Sequence, residues 1–251
     1  MYSVMPIDDL PEFAGGEDLP GLLAERLRRD APGLMSGDVL VVTQKIVSKA
    51  ESRFVDLAEV IPSAEAAALA AEVDKTPALV ELVLRESSEV VRKARNVLIT
   101  RHRLGCVMAN AGIDASNVGP GRSGQVLLLP QDPDLSAARI ADACERAAGV
   151  RPGVIISDSF GRPWRIGTVN VAIGVAAMPA VVDQRGGPDR DGRVMQVTQI
   201  GLADAVAAAA GLVMGEGAEG LPAAIVRGLG FSGPAQDSRA IVRPTAEDLF
   251  R

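Results

Sequence analysis

Cysteine and histidine are almost missing from this chain of 251 residues: the cysteines are Cys106 and Cys144, and the one histidine is His102. Two separated cysteines make neither a disulfide framework nor a CxxC pair, which fits a reducing compartment. They also exclude a structural zinc site built by one chain. A single histidine excludes a multi-histidine metal centre and leaves a Ser-His-Asp triad only one candidate base. Long apolar runs are missing too: the Ala-rich stretch from Ala203 to Val213 contains Asp204 and is too short to span a bilayer. Met1 to Pro6 lacks the basic-then-apolar layout of a signal peptide. Excess positive charge is absent, since the net charge of −6 argues against nonspecific nucleic-acid binding. A cytoplasmic protein that uses neither membrane nor nucleic acid is expected.

What is there reads as a mixed α/β chain. Leu19 to Arg29 is periodic for an amphipathic helix, with Leu22, Leu23 and Leu27 on one face. Val39 to Thr43 is a continuous apolar run of the buried-strand kind, and Ile46 to Arg53 continues with alternating character. Ser63 to Val73 and Pro77 to Ser87 read as helices, the first capped by Ser63. Short strands are expected at Val97–Thr100, Cys106–Met108 and Val126–Leu129. A helix from Leu135 to Ala148 follows, with Asp134 or Ser136 as its cap and Pro133 in the turn before it. A strand at Val154, a small-residue strand or loop from Val169 to Ala177, a hairpin through Gly186–Gly192, an Ala-rich helix from Leu202 to Leu212 and a strand at Ala223–Arg227 complete the pattern. The hairpins make an all-parallel sheet improbable. The expected fold is α+β with antiparallel or mixed sheets, neither Rossmann nor P-loop, in one unit over residues 1–251 with a smaller subdomain.

The most informative stretch is Ile155-Ile156-Ser157-Asp158-Ser159-Phe160-Gly161-Arg162-Pro163-Trp164-Arg165. An apolar run stops at Ser-Asp-Ser and passes into a Gly/Pro loop with two arginines, so a buried strand delivers a carboxylate and hydroxyls to a site. Guanidinium forks beside them suit phosphate or carboxylate groups. Asp114, in Ala109-Asn110-Ala111-Gly112-Ile113-Asp114, follows a short strand in the same way, although alone it reads equally as an Asx turn. Two carboxylates on one sheet edge match the oxygen ligands that Mg²⁺ or Mn²⁺ takes beside phosphates. Lys45 and Lys49, after the Val39 strand, suit phosphate, yet lysines on a half-exposed strand are as often solvated edge residues. Gly119 to Gly124 matches GxGxxG formally but precedes a strand instead of a helix, so its dinucleotide reading lacks the necessary context. No Walker A loop is present. His102, flanked by Arg101 and Arg103, reads as a loop histidine, more often structural than catalytic. Cys106 reads as a small core residue.

Taken together, Val41–Glu51 (VVTQKIVSKAE), Met108–Val118 (MANAGIDASNV), Leu127–Ala137 (LLLPQDPDLSA), Ile156–Gly167 (ISDSFGRPWRIG) and Val213–Pro222 (VMGEGAEGLP) resemble the coenzyme F420-0:γ-glutamyl ligase family. The resemblance runs in order from about Pro6 to Arg227. The chain stops at Arg251 and so looks like the family's single-module form, without a C-terminal flavin-binding domain. The resemblance implies a GTP-dependent ligase that joins L-glutamate to the carboxylate of F420-0 through an acyl phosphate, with further γ-linked glutamates added in some members. It also implies two Mg²⁺ or Mn²⁺ ions per site, a monovalent cation such as K⁺, and an intertwined homodimer.

Residue by residue, the resemblance places Asp114, Asp158 and Ser159 (threonine in most relatives) at metal-ligand positions. Glu216 falls where relatives more often carry glutamine that contacts metal. Leu10, Pro11, Glu12, Phe13, Gln44, Lys45, Lys49 and Asn117 match positions associated with the guanine nucleotide. Arg162 and Arg165 are expected, from chemistry and proximity to the catalytic Asp158, to hold substrate phosphate or carboxylate. Gln199 and Ala205 depart from acidic residues common in relatives, and Cys106-Val107-Met108 varies a segment that is often Phe-Val-Cys. The rival readings are a non-catalytic F420- or nucleotide-binding relative and, on GxGxxG alone, an NAD-binding oxidoreductase.

Overall fold

The computed structural model describes residues 1–29, 33–119 and 121–249. Its centre is a five-stranded mixed sheet in the order β1 (Ser3–Ile7), β12 (Ala223–Arg227), β2 (Val39–Thr43), β8 (Gly153–Arg162) and β9 (Arg165–Ala176). Only β2 and β8 run parallel; the other neighbours are antiparallel. The apolar run of β2 follows from burial on both faces. Leu40 and Val42 face a core shared with Leu23 and Leu27 of α1 (Leu19–Arg29) and with Ile140, Ala141 and Cys144 of α5 (Pro133–Ala148). Val39 and Val41 point the other way, against Ala203, Val206, Ala207 and Ala210 of α6 (Leu202–Met214). The period-2 alternation of a strand thus sorts one run of residues into two helical layers.

Three smaller sheets surround this centre among the described residues. Strands β3 (Phe54–Asp56) and β7 (Gln125–Leu127) pair antiparallel, as do β10 (Val181–Asp183) and β11 (Gln199–Gly201). Strands β4 (Ser87–Ala94), β5 (Val97–His102) and β6 (Val107–Ala109) form a meander. Helices α3 (Ala64–Val73) and α4 (Pro77–Arg85) share a core with Leu98 of β5. Ser63 caps α3 by accepting from the Ala66 N–H. The mixed and antiparallel sheets agree with the sequence reading. Among the described residues no helix is long and apolar enough to cross a membrane.

Several local expectations are corrected. Residues Gln44–Ala50 form helix α2 instead of an alternating strand: Ile46 and Val47 bury adjacent positions against the main core, which a helix turning onto the sheet end allows. Leu22 is 39% exposed, and Leu19 and Ala24 take its place in the buried face of α1. Asp132 caps α5 through the Leu135 N–H, and Pro133 stands in its first turn, where a missing N–H costs nothing. Strand β8 does not stop at Ser157; it continues to Arg162 and turns at Pro163-Trp164 into β9. His102 lies in strand β5 with its side chain fully buried.

Candidate functional site

One cavity of about 880 Å³ opens where the parallel strands end. Thr43 of β2 and Ser157 of β8 are register partners there, and Asp158 is the next residue. Clefts beyond the carboxyl ends of parallel strands are the usual ligand sites of α/β sheets, because loops and helix starts splay apart at that edge. Alternation along β8 carries the chain from buried Ile155 and Ile156 to the polar Ser157-Asp158-Ser159 at this edge.

Helix α2 leaves the same edge and places Gln44, Lys45 and Lys49 on the cavity wall. Lys45 and Lys49 are four residues apart and so share a helix face. Gln44 Nε2 donates to Asp114 Oδ2 at 2.7 Å, its Oε1 accepts from Ser48 Oγ, and the Lys45 ammonium lies 3.4 Å from the same carboxylate. Lys49 is buried and pairs with Glu12 at 2.8 Å, which brings the Leu10–Phe13 segment over one side of the cavity. Phe13 is itself 2% exposed and anchors that segment in the main core.

Asp114 is fixed by its backbone, which exchanges two hydrogen bonds with Leu127 of β7. It follows a left-handed turn in which Asn110, Ala111 and Gly112 all have positive φ. A side chain at Gly112 would meet Leu129 at 2.9 Å, so the backbone approaches the core there as only glycine permits. Asn117 and Val118 line the same wall.

The charge balance of the cavity is unfavourable to its carboxylates. Burial pushes Asp158 up to about 7, reinforced by the negative charges of Asp114 and Glu216 and opposed by the Ser159 N–H and Lys45. Asp114 is also raised, chiefly by burial, although Lys45 and Gln44 pull against the shift. Residues perturbed in this way mark binding and reaction sites, where desolvated charge awaits a partner. Among the described residues no group of three His, Cys, Asp or Glu side chains is arranged to hold a metal by itself. The donor set nevertheless fits a hard divalent cation. Asp114, Asp158, Ser159 and Glu216 all line the same cavity with oxygen atoms, and a cation beside them would offset the burial and the neighbouring charges that raise Asp158.

The cavity therefore collects Leu10, Pro11, Glu12, Phe13, Gln44, Lys45, Lys49, Asp114, Asn117, Asp158, Ser159 and Glu216. Arg162 and Arg165 are not on its wall: they are register partners at the tip of the β8–β9 hairpin, exposed, with Arg162 donating to Ile166 O. Other wall residues escaped the sequence reading. Arg122 stacks 3.5 Å over Phe54 and donates to Gln125 and to Ala14 O, tying the Gly119–Gly124 turn to the N-terminal segment. Gly119 and Gly121 to Ser123 line the cavity, and strand β7 follows the turn where a dinucleotide loop would open a helix; Pro120 within it lies outside the described residues. Asn170 and the Gly215–Gly220 loop also face the cavity. The GEGAEG composition was a usable signal for the loop, whereas Asn170 sits in a strand without any motif.

A family model described as F420-0:Gamma-glutamyl ligase matches residues 9–228. The chain belongs to this family. A protein named Coenzyme F420:L-glutamate ligase from Methanothermobacter thermautotrophicus is 41% identical over 251 residues, covering 99% of this chain and 98% of the relative. Its namesake from Methanopyrus kandleri is 44% identical over 241 residues, 94% of this chain and 92% of the relative. One from Archaeoglobus fulgidus is 42% identical over 248 residues, 99% and 96% respectively. The family match spans every segment that lines the cavity, from Leu10 to Pro222.

Proposed function

We propose that this protein is a GTP-dependent ligase that forms an amide between L-glutamate and the carboxylate of F420-0. The observation that carries the reading is the cavity itself, which two lysines on one helix face share with half-buried carboxylates raised above the usual carboxylate range. Lysines at such a wall suit a polyphosphate, and the carboxylates suit the cation that accompanies it. Leu10, Pro11, Glu12, Phe13, Gln44, Lys45, Lys49 and Asn117 are assigned to GTP. Asp114, Asp158, Ser159 and Glu216 would hold Mg²⁺ or Mn²⁺, two per site with a monovalent cation such as K⁺ as an accessory. When bound, such ions neutralise phosphate charge and draw the reacting oxygens together.

The chain's own groups account for positioning. Lys45 and Lys49 fix the triphosphate, and Gln44 together with the Leu127 backbone fixes Asp114. In the proposed sequence the γ-phosphoryl group moves from GTP to a carboxylate oxygen of F420-0, releasing GDP. The glutamate amine then bonds to the acyl carbon as the carbon–oxygen bond to phosphate breaks and the amine gives up a proton. Arg162 and Arg165 are assigned to anionic groups of the substrates from the hairpin tip, and a homodimer belongs to the same reading.

Mass spectrometry of F420-0 incubated with protein, GTP, L-glutamate and Mn²⁺ tests it. The expected products are glutamylated F420, GDP and phosphate in equal amounts for the first addition. Intact F420-0 and intact GTP, at protein concentrations that bind nucleotide, would identify a non-catalytic nucleotide-binding relative instead.

A further inference from the structure

Helix α6 contains a glycine with no conformational reason to be there. In Leu202–Met214 (LADAVAAAAGLVM), Gly211 follows four alanines and keeps ordinary negative-φ backbone. A glycine inside a helix weakens it relative to alanine. The cost has a steric explanation: a β-carbon at Gly211 would lie 2.5 Å from Asn170 Nδ2, 3.1 Å from its Cγ and 3.3 Å from its Cβ. Outside the helix itself, the three described atoms nearest to the missing methyl group all belong to Asn170.

Asn170 uses this seat to reach the cavity. It is 8% exposed, stands opposite Ser159 in the β8–β9 register, and donates from Nδ2 to Glu216 Oε1 at 2.8 Å. The orientation of the amide is fixed by chemistry, since an ionised carboxylate only accepts. Glu216 itself needs such help. It follows Gly215, which ends α6 at positive φ, and enters an exposed loop that also contains Gly217 and Gly220. Among the described residues, Asn170 is the hydrogen-bond partner of its carboxylate. Without that bond the side chain swings from a glycine-rich loop, and rotamer freedom must be lost at each binding event.

We infer that Asn170, seated on Gly211, is a positioning residue that aims Glu216 at the divalent cation of the site and so sets the affinity for that ion; this rests on the metal assignment made above. Partners one step behind a metal ligand commonly change affinity by about 10- to 100-fold when removed, because they orient the ligand and tune its basicity.

Mn²⁺ binding to the whole protein, followed by electron paramagnetic resonance of the free ion, tests this without any turnover. Asn170→Ala is expected to weaken one class of Mn²⁺ sites about 10- to 100-fold. Gly211→Ala is expected to weaken the same class, because its β-carbon displaces the Asn170 amide, with the gain in helix propensity offset by overpacking. A merely structural glycine predicts no change in metal affinity. In a Glu216→Ala background, Asn170→Ala is expected to add no further loss, because its effect passes through that carboxylate. Wild-type Mn²⁺ affinity in Asn170→Ala, alongside loss of binding in Asp158→Asn, overturns the role of Asn170 and leaves the metal assignment intact. Unchanged affinity in both variants overturns the metal assignment and this inference with it. A further loss in the Glu216→Ala background overturns the route through Glu216.

Discussion

Glu86 and Asp158 are two partly hidden carboxyl groups that the protein treats in opposite ways. Burial alone would raise both. At Glu86 it is outweighed by the His102 ring and the guanidinium groups of Arg103 and Arg53, which hold the carboxyl down to about 2. At Asp158 burial is joined by the charges of Asp114 and Glu216, which push it up to about 7. Arg53 and Arg103 approach Glu86 at 3.3 and 3.2 Å, and the His102 Nε2 lies 3.4 Å away, longer than a good hydrogen bond. The His102 Nδ1 accepts from the Leu104 N–H, so the ring proton faces Glu86. The single histidine is therefore buried beside a charge cluster that joins α4, β5 and the start of β3, its Nε2 turned toward Glu86 without a formed hydrogen bond. The cavity carboxylates are left short of partners that the chain itself does not supply. A charge cluster balanced internally serves the fold; one left unbalanced serves a ligand.

The largest expected effect breaks the comparison at its functional end. Asp158→Asn should lower formation of glutamylated F420, measured by mass, by about 10²–10³-fold or more, the usual consequence of losing a group that organises charge in a reaction centre. Lys49→Ala should follow, raising the dissociation constant for GTP by about 10- to 100-fold in calorimetry, as expected for a lost charge-assisted contact. At the structural end, Glu86→Gln should destabilise the protein by about 2–3 kcal/mol in urea unfolding, because Arg53 and Arg103 lose the negative charge they share and keep only a neutral acceptor. Its activity per folded molecule should stay as in the wild type.

Acid sharpens the same contrast. The Glu86 carboxyl ionises at about 2 when folded, against 4.5 for an unperturbed glutamate, so below 4.5 the unfolded chain takes up the proton first. Its stabilisation is complete above about pH 5 and is lost as the pH falls through 4 toward 2. Glu86→Gln should flatten that part of the stability curve, read as the urea midpoint between pH 5 and pH 3.

Much of this arrangement is legible in the sequence, and the failures have physical causes. The apolar runs of β2 and β8 reveal the buried strands, because burial on both faces leaves no other pattern. The Ser63 cap and the leucines of α1 mark helix positions, although Leu22 reads like its neighbours and only packing against α5 decides which leucine is buried. Helix α2 misleads because seven residues with β-branched Ile46 and Val47 fit either period, and the sheet end selects the helix. Asp114 and Asp158 stand out by following apolar runs, and family resemblance brings them together with Glu216. The positions of Arg162 and Arg165 at a hairpin tip are not readable, because Gly161 and Pro163 signal a loop where β8 in fact continues. The seat of Asn170 on Gly211 joins residues from β9 and α6 and leaves no local trace.

The claim that the cavity keeps its charge unfavourable for the sake of a ligand is tested most directly by the thermal midpoint of Asp158→Asn against wild type, measured in a chelator at pH 8 and pH 5. A carboxyl raised from 3.8 to about 7 in the folded state costs stability as the pH rises through that interval, since the unfolded chain ionises first. The variant removes the cost, so it should melt higher than wild type at pH 8, by on the order of 2 kcal/mol in stability, with a smaller gain at pH 5. A variant that melts lower than wild type at pH 8 would contradict the account.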